Sequence, residues 1–195
     1  MALSTGMREG ELCGLRWADV DLKKRTLWVR RSVARDNGKY YVKPPKTHTS
    51  VRDIPLTLAL AEKLKARKDA QETELIVAGL EPSEERMSQI YVLGEVDGSF
   101  MKPHGLWRPW KALADSMGLV GTQGRRPTFH DLRHTFAIAE GIDVKTVSSI
   151  MGHANAAMTL NIYASADADA KRAAAMTIDE VMGRRLAPQE LRSFG

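Results

Sequence analysis

The sequence predicts a mainly helical α+β domain with a small antiparallel sheet near its N-terminal end. Three observations carry this expectation. Several stretches repeat apolar residues at the spacing of an amphipathic helix. Residues 25 to 56 change to a period of two around an Asn37-Gly38 turn signal. At 195 residues, 43% hydrophobic and 27% charged, the chain suits one globular domain with a substantial core and leaves little room for a second.

In chain order, TGMREGELCGLRW reads as a short helix with Thr5 as N-cap and Leu12 and Leu15 inward, while Arg8 and Glu11 share another face. TLWVRRSV, the Asp36-Asn37-Gly38 turn, KYYVK and VRDIPL form the expected sheet over 25 to 56, with Pro44 and Pro45 interrupting it and Lys46 in the connection. LTLALAEKLKARKDAQ places Leu56, Leu60 and Leu64 on one helical stripe. Residues 80 to 103, rich in Gly and Pro, read as loops around a short strand at IYVL. A helix over LWRPWKALADSMG ends at Gly118.

The second half is more legible. PTFHDLRHTFA offers Thr128 as cap with Asp131 three residues on, an inward stripe of Phe129, Leu132 and Phe136, and His130 and Arg133 together on another side. IDVKTVSSIMGH starts at Asp143, buries Val144, Val147, Ile150 and Met151, and stops at Gly152, leaving His153 just past a helix end. ANAAMTLNIYA reads as a helix carrying Tyr163, and 167–182 as a last helix with an apolar face of Ala170, Ala174, Ile178 and Val181.

Composition narrows the function classes. No apolar run approaches the roughly 18 to 20 residues that span a bilayer, and no secretory pattern opens the chain, so a cytoplasmic protein without a membrane partner is expected. Cys13 has no partner for an internal disulfide and reads as a small core residue. The histidines lack the helical pairing with carboxylates that argues for zinc, and no metal or other cofactor is expected. Lys and Arg exceed Asp and Glu by 29 to 24, for a net charge of +5 and a pI near 9.4, which favours a polyanionic partner. The positive charge gathers in KKRTLWVRR, KPPKTHTSVR, KPHGLWRPWK and GRRP, interleaved with Trp28, Trp107 and Trp110. Lys43, Arg52, Lys102, Arg125 and Arg126 are therefore the candidate contacts to a nucleic acid.

TGMREGELCGLRWADVDL, KPPKTHTSVRDIPL, HDLRHTFA and MGHANAAMTLNIYA, in that order, resemble the boxes of the tyrosine recombinases, the phage integrase family. The most specific part is HDLRH followed by Gly152-His153 and a tyrosine ten residues after the histidine. The resemblance covers nearly the whole chain and implies the catalytic domain of this family over 1–195, a fragment lacking the preceding DNA-clamping domain. It maps the catalytic set onto Arg8, Lys46, His130, Arg133, His153 and Tyr163, with Glu11 supporting them. HTFAIAEGID departs from the pattern: it is shorter by about three residues, near one helical turn, between Phe136 and Gly141. That shortening, if it moves the His153 segment away from Arg133, is the one hint of a DNA-binding regulator that has lost cleavage.

The chemistry implied is transesterification. Tyr163 attacks a phosphodiester and becomes a 3′-phosphotyrosine, a bond that conserves the ester energy so that a 5′-hydroxyl reverses it. Arg8 and Arg133 hold the non-bridging oxygens where other enzymes use metal ions, and His153 adds a hydrogen bond. Lys46 protonates the leaving 5′-oxygen, His130 assists the tyrosine proton, and Glu11 orients the cations. The family also implies a tetramer on two DNA sites, accessory DNA-bending or directionality proteins, and a nucleoid location, while the apolar stripe of 167–182 suits packing against a neighbouring protomer. The sheer residue types admit plainer readings: Tyr163 as a core aromatic, His130 and Arg133 as a surface pair, Lys46 as a backbone contact, and His134 as a structural donor. A type IB topoisomerase shares the arginine, lysine and tyrosine logic.

Overall fold

The computed structural model of the chain describes residues 1–44, 51–95, 97–121, 124–137, 143–152 and 157. Helix α1 (Ala2–Thr5) stops at Gly6, whose φ of 60° is left-handed, and α2 (Glu9–Gly14) begins immediately after Arg8. The cap of α2 is therefore Arg8, and Thr5, expected to start that helix, instead ends the one before it. The reason is local: the Thr5 hydroxyl donates back to the Met1 carbonyl (3.0 Å), while the Glu11 carboxylate accepts from the Arg8 backbone N–H (2.9 Å) and occupies the capping role itself.

The expected sheet over 25–56 is two sheets. Strands β1 (Val20–Asp21), β2 (Thr26–Val29) and β5 (Arg52–Pro55) pair antiparallel in the order β1-β2-β5, and β3 (Ser32–Asp36) and β4 (Lys39–Lys43) form a separate hairpin. The hairpin turns at Asn37-Gly38, where Asn37 has a φ of 45°, as a tight primed turn requires. Along β5 burial alternates strictly: Arg52 and Ile54 face inward, Asp53 and Pro55 outward.

Helix α3 (Leu58–Val77) is capped by the Thr57 hydroxyl and buries Leu60, Ala61, Leu64, Gln71 and Leu75, so the stripe read from the sequence continues about three turns beyond Leu64. Gln71 satisfies its buried amide by accepting from the Trp17 indole (2.7 Å) and donating to the Tyr91 carbonyl (3.1 Å). The stretch read as loops contains a helix, α4 (Glu84–Gln89), started by Ser83. IYVL forms no strand; Tyr91 makes an isolated bridge with Arg16. Helix α5 (Trp107–Ser116) follows a short 3-10 turn at Pro103–Leu106, and Gly118 lies just beyond it with a φ of 61°.

Helices α6 (Asp131–Ala137) and α7 (Val144–Met151) complete the described fold. Asp131 accepts from the Thr128 N–H (2.6 Å), and Asp143 caps α7 by accepting from Lys145 and Thr146 (both 3.0 Å). The main core joins Leu12, Leu15, Trp17, Leu27, Ile54, Leu60, Leu75 and Ile90; a second cluster joins Phe136, Ala137, Val147 and Met151. Ile150 packs against both, so α7 is seated on the first half of the chain. Val144 is only half-buried. Of the expected helix ANAAMTLNIYA only Ala157 is described; Tyr163, 167–182 and the stretch between Phe136 and Gly141 beyond Ala137 lie outside the described residues. Among the described residues no helix is long and apolar enough to cross a membrane.

Candidate functional site

The turn after α1 creates the first part of the site. Gly6 lies against α6 so closely that a Cβ there would sit 2.6 Å from Cδ1 of Phe136, and its carbonyl oxygen accepts from the Arg133 guanidinium. Arg8, two residues on, lies with its side chain 40% exposed and donates through Nη1 to Glu11 Oε1 at 3.0 Å.

Glu11 is buried, and both its oxygens are engaged. Besides Arg8, it accepts from Arg52, Nη1 to Oε1 at 3.1 Å and Nη2 to Oε2 at 2.8 Å, a bidentate fork. Burial alone would raise the Glu11 carboxyl, but the hydrogen bonds and positive charges of Arg52 and Arg8 outweigh it and hold the group below its ordinary value of 4.5. A buried carboxylate between two guanidiniums is thereby kept ionised.

Arg133 projects from α6 into the same region and is 3% exposed. Its Nη2 donates to the Met151 carbonyl at 2.7 Å, and Nη1 to Gly6. A guanidinium carries five N–H donors in a fixed fork, so these two backbone bonds orient the group. Burial first, then the like charges of Arg8 and Arg52, lower the Arg133 pKa to about 9, against the pull of Glu11, and the group stays cationic at neutral pH. His130, one turn earlier, is depressed below 6.5 by partial desolvation, then by His134, Arg133 and Arg8, with Asp131 opposing. Its ring meets that of His134 edge to face, centroids 4.8 Å apart. The imidazole is thus neutral at pH 7 and able to accept a proton.

The carboxyl end of α7 closes the network. Ile150 accepts from the Arg52 Nε–H, Met151 from Arg133, and Gly152 turns the chain with a φ of 62°. Arg8, Glu11, His130 and Arg133, four of the residues singled out from the sequence, therefore share one neighbourhood. Lys46, His153 and Tyr163 lie outside the described residues, although His153 directly follows Gly152 in the chain.

The chain matches the phage integrase family over residues 1–170. It belongs to the phage integrase family. Among curated proteins it is 31% identical over 193 residues to the tyrosine recombinase XerC-like protein of Caldanaerobacter subterraneus subsp. tengcongensis, a match covering 93% of this chain and 48% of that protein. It is 32% identical over 180 residues to the transposase from transposon Tn916 of Enterococcus faecalis, covering 88% and 42% respectively. Among solved structures, the Tn1549 transposon integrase in complex with transposon right end DNA is similar with a TM-score of 0.64 and 28% identity, covering 89% of this chain and 56% of that one. The chain spans about half the length of the curated relatives it matches. The mainly helical fold with small antiparallel sheets is that of the phage integrase family catalytic domain.

The basic residues expected on the DNA side divide. Lys102 and Arg125 are exposed, Lys43 is half-buried at the end of β4, and the exposed Arg126 pairs with Asp115 at 2.5 Å. Arg52 differs from the expectation: its side chain is 5% exposed and its fork is spent on Glu11, so it is an interior residue of this cluster. The available signal was the alternation in VRDIPL, which puts Arg52 on the same face as the apolar Ile54. Among the described residues no group of three or more His, Cys, Asp or Glu is placed to hold a metal ion.

Proposed function

We propose that this chain is the catalytic part of a site-specific DNA recombinase that cuts and rejoins strands through a 3′-phosphotyrosine on Tyr163. The observation that carries the reading is the convergence of Arg8 and Arg133 around Glu11, with the carbonyl end of α7, the segment leading to His153, hydrogen-bonded to Arg133. Two cations beside one another, Arg8 held by the Glu11 carboxylate and Arg133 by the carbonyls of Gly6 and Met151, keep net positive charge where a phosphodiester gains negative charge as it is attacked. The Tyr163 oxygen bonds to phosphorus, the bond to the 5′-oxygen breaks, and Lys46 gives that oxygen its proton. Neutral His130 takes the phenolic proton, and His153 steadies a non-bridging oxygen. Attack by a free 5′-hydroxyl of a second DNA runs the sequence backwards and completes exchange.

Similarity to the Tn916 transposase and the Tn1549 integrase supports a mobile element as the substrate context, with double-stranded DNA as partner. Assembly as a tetramer on two sites, the docking of 167–182 on a neighbour, Lys43, Lys102 and Arg125 as phosphate contacts, accessory DNA-bending or directionality proteins, and a nucleoid location extend the same proposal. Binding by this chain falls steeply with salt, because released counterions dominate phosphate contacts.

Incubation with a nicked suicide DNA substrate tests the reading. A covalent adduct that survives denaturation and vanishes in Tyr163→Phe supports it; no adduct on cognate DNA leaves a DNA-binding regulator. Relaxation of any supercoiled plasmid without exchange between two sites identifies a topoisomerase instead.

A further inference from the structure

We propose that Arg52 is a positioning residue for strand cleavage: its guanidinium clamps Glu11, and through it Arg8, to the carboxyl end of α7. The inference rests on the strand-cleavage reading and adds a residue to it. Three boxes far apart in sequence meet on this one side chain. From β5 it reaches both oxygens of Glu11, 41 positions away, at 3.1 and 2.8 Å, and the Ile150 carbonyl, 98 positions away, through Nε. Gly152 completes the fit, because a Cβ at that position would lie 3.0 Å from Nη1 and 3.1 Å from Cδ of Arg52.

The fork does more than balance charge. Glu11 Oε1 accepts from Arg8 and Arg52 together, so the carboxylate plane that Arg52 fixes is the plane against which Arg8 is aimed. The same guanidinium group sets where α7 ends, and therefore where the chain leaves toward His153. Lysine keeps the charge but presents one compact ammonium, which cannot span two carboxylate oxygens and a carbonyl in fixed directions. Arg52 is too buried to be a groove contact, at 5% side-chain exposure, and its role is internal to the protein.

The test uses the full chain and the suicide substrate at saturating DNA. Arg52→Lys is expected to keep its thermal midpoint within a few degrees and its DNA Kd within about twofold, while the single-turnover rate of adduct formation falls about tenfold or more, the range seen when an outer partner of a functional group is lost. The defect is expected to be non-additive with Glu11→Gln, since the two changes break one linkage. Gly152→Ala, which presses on Arg52 without removing it, is expected to slow the same step and serves if Arg52→Lys does not fold. Wild-type rates in folded Arg52→Lys or folded Gly152→Ala overturn the proposal, as does a rate loss matched by an equal loss of DNA affinity, or strict additivity with Glu11→Gln. A wild-type chain that forms no adduct overturns the cleavage reading itself, and this inference with it.

Discussion

The guanidinium of Arg133 donates to the carbonyl oxygen of Met151 at 2.7 Å, tying α6 to the end of α7 across 18 positions of sequence. This bond bears on the shortened stretch between Phe136 and Gly141. A link briefer by about one helical turn could have carried α7 away from the arginines; instead Met151 and Ile150 both accept from them.

Glu11→Gln removes the charge that faces Arg52 in a buried fork, and breaking such a pair costs of the order of 3 kcal/mol. Because the folded Glu11 pKa lies below 4.5, its contribution is complete above that value and disappears as pH falls through the folded pKa. Urea unfolding is expected to show the full gap between wild type and variant at pH 7 and a gap that shrinks progressively as pH is lowered below 4.5. A gap independent of pH contradicts the assignment.

Gly6→Ala is expected to destabilise by about 1 to 3 kcal/mol, through a left-handed φ of 60° and a methyl placed against Phe136. Phe136→Leu in the same chain relieves the clash but not the strain, so the double variant is expected to lose less than the sum of the two singles. Thermal melts of the four proteins decide.

His130 is expected to titrate below 6.5, followed by NMR of its ring protons, and to move upward in His134→Asn and in Arg8→Ala, which remove like charges acting on it. A neutral His130 at pH 7 also places the acid limb of the cleavage rate below 6.5. Titration at or above that value counts against it as a proton acceptor.

Cys13 is fully buried, and burial, with Glu9 nearby, pushes its thiol up to about 12. The native chain is expected to resist a thiol reagent over hours and to react at one site once unfolded. Rapid native labelling would show that this helix opens readily.

Much of this fold was legible because its signals are local. Asn37-Gly38 specifies a hairpin, Asp143 and Gly152 bracket α7, and the Leu56, Leu60, Leu64 stripe marks α3. Helix α4 was hidden since Gly79, Pro82, Gly94 and Gly98 surround its six residues and outweigh one good cap at Ser83. Thr5 was misplaced because its neighbour Gly6 ends one helix only three residues before another begins. Within the site, Arg8, Glu11, His130 and Arg133 were found through motif order. Arg52 was not, because a cation in a basic run looks solvated, and only its long-range partners Glu11 and Ile150 reveal otherwise.

The cluster draws on Gly6 to Glu11, Arg52, Arg133 and Ile150 to Gly152, positions scattered over most of the chain. During synthesis the ribosome therefore delivers the first arginine long before the carbonyls that help fix its companions. A chain halted ahead of α7 would carry the charges without the arrangement, so a truncated product does not hold half of the cluster's geometry but none of it.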